Sequence, residues 1–275
     1  RIARESGGVF FVLPGEEEEL VGIGANKNRE YEFLDMRKYT PLLLPRSAYA
    51  DSVKKSEYRR TIWEVIVALN PTENQFLPSH NPQLNIRELW YPLAPAEFRE
   101  QAAKEVVKAA AAMQILNQAI GKLEDIMPLR DSEASDRWRA NYDLMRAQCV
   151  AYRVRLFQYL LAMDDHANNM PKPVKKDTNR WSVGRTPKMI VPDEAQFGRL
   201  KQAFNIKFKR EEYLDYVKAE EDRARGMYAE VIANHPGTPW EERAQYELKN
   251  GFGMQFREDY LSQYQDKPSI PLPKP

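Results

Sequence analysis

Apolar positions recur with a clear period only past residue 95. From Pro95 onward, Val106, Ala109, Met113, Leu116, Ile120, Leu123 and Met127 return at alternating spacings of three and four. That is a 3.5-residue seam held for three heptads, and it predicts a long amphipathic helix. Pro95 suits its first turn, Glu97 and Glu100 complement the positive end of its dipole, and Pro128 stops it. Residues 129–135 read as a polar turn, with Ser132 or Ser135 as N-cap of the next helix. A second seam follows through Trp138, Tyr142, Met145, Cys149, Tyr152, Leu156, Tyr159 and Met163. Two matched ridges across a short turn predict an antiparallel hairpin about 45 Å long. A flanking stripe of Leu144, Ala151, Val154, Leu160 and Leu161 widens the second helix's apolar arc, so it needs a third neighbour.

Beyond the hairpin the period is lost over residues 168–192, a stretch rich in Pro and Lys that reads as a long loop. Helix resumes from about Asp193 to Asn234, broken around Asn205. Its seam runs through Leu214, Val217, Ala224, Tyr228 and Val231, with Glu221 interrupting. His235-Pro236-Gly237 ends it; Thr238 and Pro239 open a last helix as cap and first-turn proline. Residues 266–275 form a Pro-rich extended tail.

Residues 1–94 are less regular. Val9 to Leu13, closed by Pro14-Gly15, reads as a strand. Leu42-Leu43-Leu44 between Pro41 and Pro45 is too punctuated for a helix. Thr61 to Leu69 fits strand or helix, and its β-branched content favours strand. Asn70 to Pro95 carries five prolines and reads as an irregular connection. The expected organisation is therefore an irregular N-terminal part over 1–94, a helical bundle or solenoid-like domain over 95–265, and the tail over 266–275. The expected fold is mainly α: an antiparallel long-helix hairpin plus a tetratricopeptide-like helix pair, with an irregular arm or small α+β part.

Composition narrows the functions. The 275 residues, 43% of them hydrophobic, suffice for one or two cores. Lys+Arg (41) balances Asp+Glu (40), so no global field attracts nucleic acid or an anionic bilayer. A lone Cys149 on an apolar seam excludes an intrachain disulfide and a thiolate-rich metal site, and reads as core. No stretch reaches the roughly 18 apolar residues of a membrane-spanning helix. The start at Arg1-Ile2-Ala3-Arg4, without Met, suggests a trimmed piece, leaving localisation open between export and an intracellular bacterial compartment.

Candidate chemistry is sparse. Among the histidines, His166 after Asp164-Asp165 reads as a polar helix end, His235 as a helix-end cap, and His80 as solvated. Ser6-Gly7-Gly8 and Gly22-Ile23-Gly24 lack the partners of a phosphate or dinucleotide loop and read as turns. Glu16 to Glu19 reads as a solvated acidic face or a dock for a basic partner. Lys172, Lys175, Lys176, Arg180, Arg185 and Lys188 gather around Trp181. A solvated loop, a protein dock and a nucleic-acid site are the alternatives there, in that order. With Trp240, these residues are the expected protein-interaction set. No catalytic, cofactor-binding or metal residue is assigned.

Two stretches carry a resemblance. The Trp-Arg-Ala-Asn-Tyr-Asp run at 138–143 and the His-Pro-Gly-Thr-Pro-Trp run at 235–240 resemble the C-terminal helical region of planctomycete proteins that carry a von Willebrand factor A domain upstream. The likeness spans roughly residues 100–260. The metal site of that upstream domain needs Asp-x-Ser-x-Ser, which Asp131-Ser132-Glu133-Ala134-Ser135 breaks at Glu133, so no metal site carries over. The resemblance implies a planctomycete source and an accessory role beside the tubule-forming nitrite oxidoreductase of anammox bacteria. Residues 224–248 also look like a tetratricopeptide junction, with Tyr228, Val231 and Ile232 before Pro236 and Ala244 and Leu248 after it. The expected function is a non-catalytic scaffold or accessory subunit that docks other protein subunits of a larger enzyme complex, or further copies of itself. A helical domain binding a ligand or envelope polymer is the alternative, and an enzyme with dispersed carboxylates a third.

Overall fold

The computed structural model describes residues 31–70, 90–204 and 206–261. The expected strand at Val9–Leu13, the two glycine turns, Glu16–Glu19, His80, nearly all of the 70–95 connection and the 266–275 tail lie outside them.

The hairpin is present. Helix α4 (Pro95–Asp125) and helix α5 (Asp136–Asn169) have 31 and 34 residues. They run antiparallel. Near one end the Tyr142 hydroxyl donates to the Leu123 carbonyl (2.8 Å), midway Arg153 donates to Asn117 (3.0 Å), and at the other end Arg99 donates to the Ala167 carbonyl (3.1 Å). The buried ridge of α4 runs through Phe98, Ala102, Glu105, Ala109, Ala112, Leu116, Ala119, Ile120 and Leu123. It shares Ala109, Leu116, Ile120 and Leu123 with the expected seam. Elsewhere it is rotated onto small residues, leaving Val106 and Met113 half-buried and Met127 exposed. Buried alanines line both helices, Ala102, Ala109, Ala112 and Ala119 on α4 and Ala140, Ala147 and Ala151 on α5, and such small residues let helix backbones approach. The bulkier side chains therefore sit beside the contact line.

Helix α4 ends at Asp125, and Pro128 lies in a 3-10 turn over Met127–Ser132 that reverses the chain. Two bidentate pairs hold this turn. Arg130 grips Asp143 (2.7 and 2.6 Å), and Arg59 grips Glu133 (2.8 and 2.6 Å), which also accepts from the Ser135 amide.

Arg59 belongs to α3 (Glu57–Ala68), preceded by α1 (Phe33–Arg37) and α2 (Arg46–Lys55). Thr61 to Leu69, read as favouring strand, is helical through Ala68. Ser56 caps it by accepting from the Arg59 amide, and Tyr58, Ile62, Val65, Ile66 and Leu69 bury one helical face. Burial along that stripe outweighs the weak β-preference of Val and Ile. Leu42–Leu44 is non-helical, as its prolines require, and exposed.

The third neighbour of α5 is α7 (Arg210–Asn234), which follows the short α6 (Glu194–Phe204). It too is antiparallel to α5, joined by Phe157–Tyr213 ring packing (5.5 Å), the Arg153–Glu220 ion pair and the Asp143–His235 contact. Gly237, at φ 70°, turns the chain into α8 (Pro239–Asn250), where Thr238 caps by accepting from the Glu241 amide. A Cβ on Gly237 would meet Asp35 Oδ2 at 2.6 Å, so the segment before Tyr39 lies against this turn. The helix pair from 224 to 248 thus forms as expected, with Tyr228, Val231 and Ala244 buried.

The stretch 168–192 is not a plain loop. Arg180–Thr186 forms β2, the centre of a three-stranded antiparallel sheet between β1 (Trp90–Tyr91) and β3 (Gly253–Asp259). Trp90 pairs with Ser182, and Arg180 to Thr186 pair with Asp259 to Gly253. Along β2, Trp181, Val183 and Arg185 point inward while Arg180, Ser182, Gly184 and Thr186 point out. The inward face closes a second core with Tyr91, Phe98, Tyr159, Leu160 and Met163.

Candidate functional site

The expected interaction residues divide between interior and surface. Trp181 lies inside against His166, with ring centroids 4.5 Å apart. Trp240 is buried against Tyr39 (5.1 Å) and donates its indole N–H to Asn141 (2.9 Å). Arg185 is buried at the C-terminal end of α8, donating to the Gly251 and Glu247 carbonyls. All three serve the fold because strand alternation and helix packing turn them inward. Lys188 is exposed beyond the far end of β2. Lys172, Lys175 and Lys176 are exposed on the connection between α5 and β2, and Arg180 lies at its end.

That connection is pinned. Helix α5 ends on Met170 at φ 36°, a left-handed cap whose amide donates to the His166 carbonyl (2.8 Å). Glu258 of β3 then receives the Val174 and Lys175 amides (2.7 Å each) and the Thr178 hydroxyl (3.0 Å). Those two amides hold its carboxyl below the ordinary carboxylate range. Thr178 closes a turn on the Lys175 carbonyl (3.2 Å), and Asn179 exchanges two hydrogen bonds with Leu261. At the tip, Val174 is 89% exposed between Pro173 and Lys175.

On the outward face of the sheet, Trp90 is 47% exposed with the Arg180 guanidinium 4.5 Å above its ring. Arg180 is paired with Asp259 at 2.5 Å. Neither Trp90 nor Glu258 stood out in the sequence. The alternation Trp181-x-Val183-x-Arg185 was the available sign that a strand would carry the loop's end.

Inside, ionisable groups close on one another. His235 caps α7, as expected, and its ring also meets the Tyr39 hydroxyl through Nδ1 (3.0 Å) and Asp143 through Nε2 (2.8 Å). Burial alone would raise the Asp143 carboxyl; hydrogen bonds from Arg130 and His235 outweigh it and hold the group low. Cys149 is buried and its thiol is pushed up to about 12 by desolvation, so it is an inert core residue.

His166 departs from its reading as a polar helix end. It is buried among Phe98, Trp181 and Phe256, with centroids 4.7, 4.5 and 4.4 Å away. Asp164, on the other side of the helix, is held outside by Arg199. Desolvation lowers His166 to about 4. The unfolded chain therefore takes up a proton near pH 6.5 while the fold resists it. Stability should be unaffected above pH 6.5 and fall by up to about 3 kcal/mol between pH 6.5 and 4. Urea unfolding across this range checks it: His166→Phe should flatten that slope, and an unchanged slope would refute the assignment.

Among the described residues, no group of three or more His, Cys, Asp or Glu could hold a metal ion, and no helix is long and apolar enough to cross a membrane. The class these features define is a mainly helical protein with a small antiparallel sheet. No protein-family model, no curated protein and no solved structure matches the chain.

Proposed function

We propose that this chain is a non-catalytic scaffold or accessory subunit that docks other proteins through the 171–178 loop. The observation supporting this reading is the pinned tip: Glu258 fixes the loop backbone while Val174 and three lysines stay in solvent. A surface that is already ordered gives up little conformational freedom on binding. The exposed Leu42–Leu44 run, non-helical between two prolines, adds a second apolar contact segment, with Leu43 72% exposed. The likeness of the 138–143 and 235–240 runs to planctomycete proteins favours a filamentous or tubular enzyme complex as the setting.

Co-purification of the tagged chain from its source cells, with lysine-directed cross-linking, tests the proposal. One protein recovered in fixed ratio, with cross-links from Lys172, Lys175 or Lys176, is the expected result. A chain that stays monomeric by light scattering and forms cross-links within itself alone would refute it.

A further inference from the structure

We infer that the 171–178 loop takes a carboxylate-rich segment of a partner protein, with Val174 as the apolar anchor between cationic contacts; this rests on the docking reading above. Positive charge around the loop exceeds negative charge. Lys172, Lys175 and Lys176 are exposed and form no ion pair among the described residues. Among the described residues, nearby carboxylates offset them only in part. Glu258 accepts two amides and a hydroxyl, keeps its negative charge and offsets part of that of Lys175, whereas Asp259 is paired with Arg180 and Asp164 with Arg199. Within the loop, Asp177 alone opposes three lysines. In a chain whose total charge is +1, three lysines against Asp177 and Glu258 leave a local excess of positive charge on a fixed backbone.

The geometry selects among anionic partners. Nucleic acid would call for an aromatic ring beside the cations on which a base could stack. Trp90, the exposed indole of the sheet, pairs with Ser182, whereas Glu258 pairs with Trp181. Neighbouring positions on a strand face opposite ways, so Trp90 and the pinned loop lie on opposite sides of the sheet. An anionic bilayer would call for a larger apolar insertion than one valine. A peptide carrying several Glu or Asp around a small apolar side chain fits the lysines and the Val174 tip together.

The test is fluorescence anisotropy with the full chain and three probes: a Glu-rich peptide with a central Leu-Val pair, a single-stranded oligonucleotide, and phosphatidylcholine vesicles containing phosphatidylserine. The peptide should bind with an affinity that falls as salt rises. Charge reversal at Lys172, Lys175 and Lys176 should weaken it at least tenfold, and Val174→Asp should also weaken it. Glu258→Ala should do so with every lysine intact, with the thermal midpoint near wild type throughout. Peptide binding indifferent to these changes, no peptide binding, or tighter binding of oligonucleotide or vesicles would overturn the inference. If the natural partner co-purifies with the charge-reversed chain as with wild type, the docking reading stands and this inference alone fails; if wild type recovers no partner, the docking reading itself fails.

Discussion

Replacing Glu247 with Gln is expected to destabilise the fold by about 3–5 kcal/mol, measured by urea unfolding near neutral pH. Glu247 is wholly buried on α8 and is the shared counter-ion of three guanidiniums: Arg243 at 2.7 Å, Arg185 at 2.8 Å and Arg155 at 3.6 Å. Burial alone would raise its carboxyl; the three cations outweigh that and hold it below the ordinary glutamate value. Gln keeps the volume and removes the charge, leaving one buried and two partly buried guanidiniums to repel one another with Tyr152 and Tyr228 beside them. The pH sign follows from the lowered pKa. This contribution is present above the unfolded glutamate's pKa, near 4.3, and fades as pH falls through the depressed folded value. Glu247→Gln should therefore blunt the acid limb below about pH 4.3 and leave the His166 window above pH 4.5 in place. A loss under 1 kcal/mol would mean that the cluster is not buried as described.

The second large effect is expected at Gly253→Ala, about 3 kcal/mol or a chain that fails to fold. Gly253 opens β3, and an added Cβ would overlap the Lys188 carbonyl oxygen, with the Lys188 carbonyl carbon at 2.7 Å and the Thr186 oxygen at 2.8 Å. These are backbone atoms, so no side chain can swing aside. Neighbouring Gly251 has φ 68°, and its Cβ would meet Pro187 Cα at 2.5 Å; Phe252 between them is fully buried. The Gly-Phe-Gly run is where α8 hands the chain to the sheet. Gly121→Ala is the control, because a Cβ there meets nothing within 4 Å and a helix interior gains from Ala. Melting temperatures of the two variants check the contrast; equal values would contradict the packing described.

How much of this was legible depended on how local the governing contact is. The α4–α5 hairpin could be read because a heptad seam is a property of each helix by itself. The buried ridge departs from that seam at Ala102, Glu105, Ala112 and Ala119, because helices meet most closely over small residues, which a heptad of large apolar side chains does not reveal. β2 is hidden in the sequence because its partners, Trp90–Tyr91 and Gly253–Asp259, are remote in the chain and its local signal is diluted by Gly184 and four charged or polar residues, Arg180, Ser182, Arg185 and Thr186. His166 follows two aspartates and so reads as a polar helix end, yet on a helix it faces away from Asp164. The capping place of His235 was legible and its partners Tyr39 and Asp143 were not. Arg243 and Glu247, four apart on a helix, look like an ordinary surface pair until Arg185 and Arg155 arrive from other elements. The 171–178 loop shows its lysines in the sequence, but the residue that pins its backbone, Glu258, lies far downstream.

The claim on which the functional reading rests is that the lysine loop is a built surface. Amide hydrogen exchange at Val174 and Lys175 in the full chain addresses it, because both amides donate to Glu258 although the loop is exposed. Exchange slowed at least about tenfold against the free-peptide rate, with Glu258→Ala restoring that rate, is the predicted result. Free-peptide exchange at both amides in the wild-type chain would contradict the account.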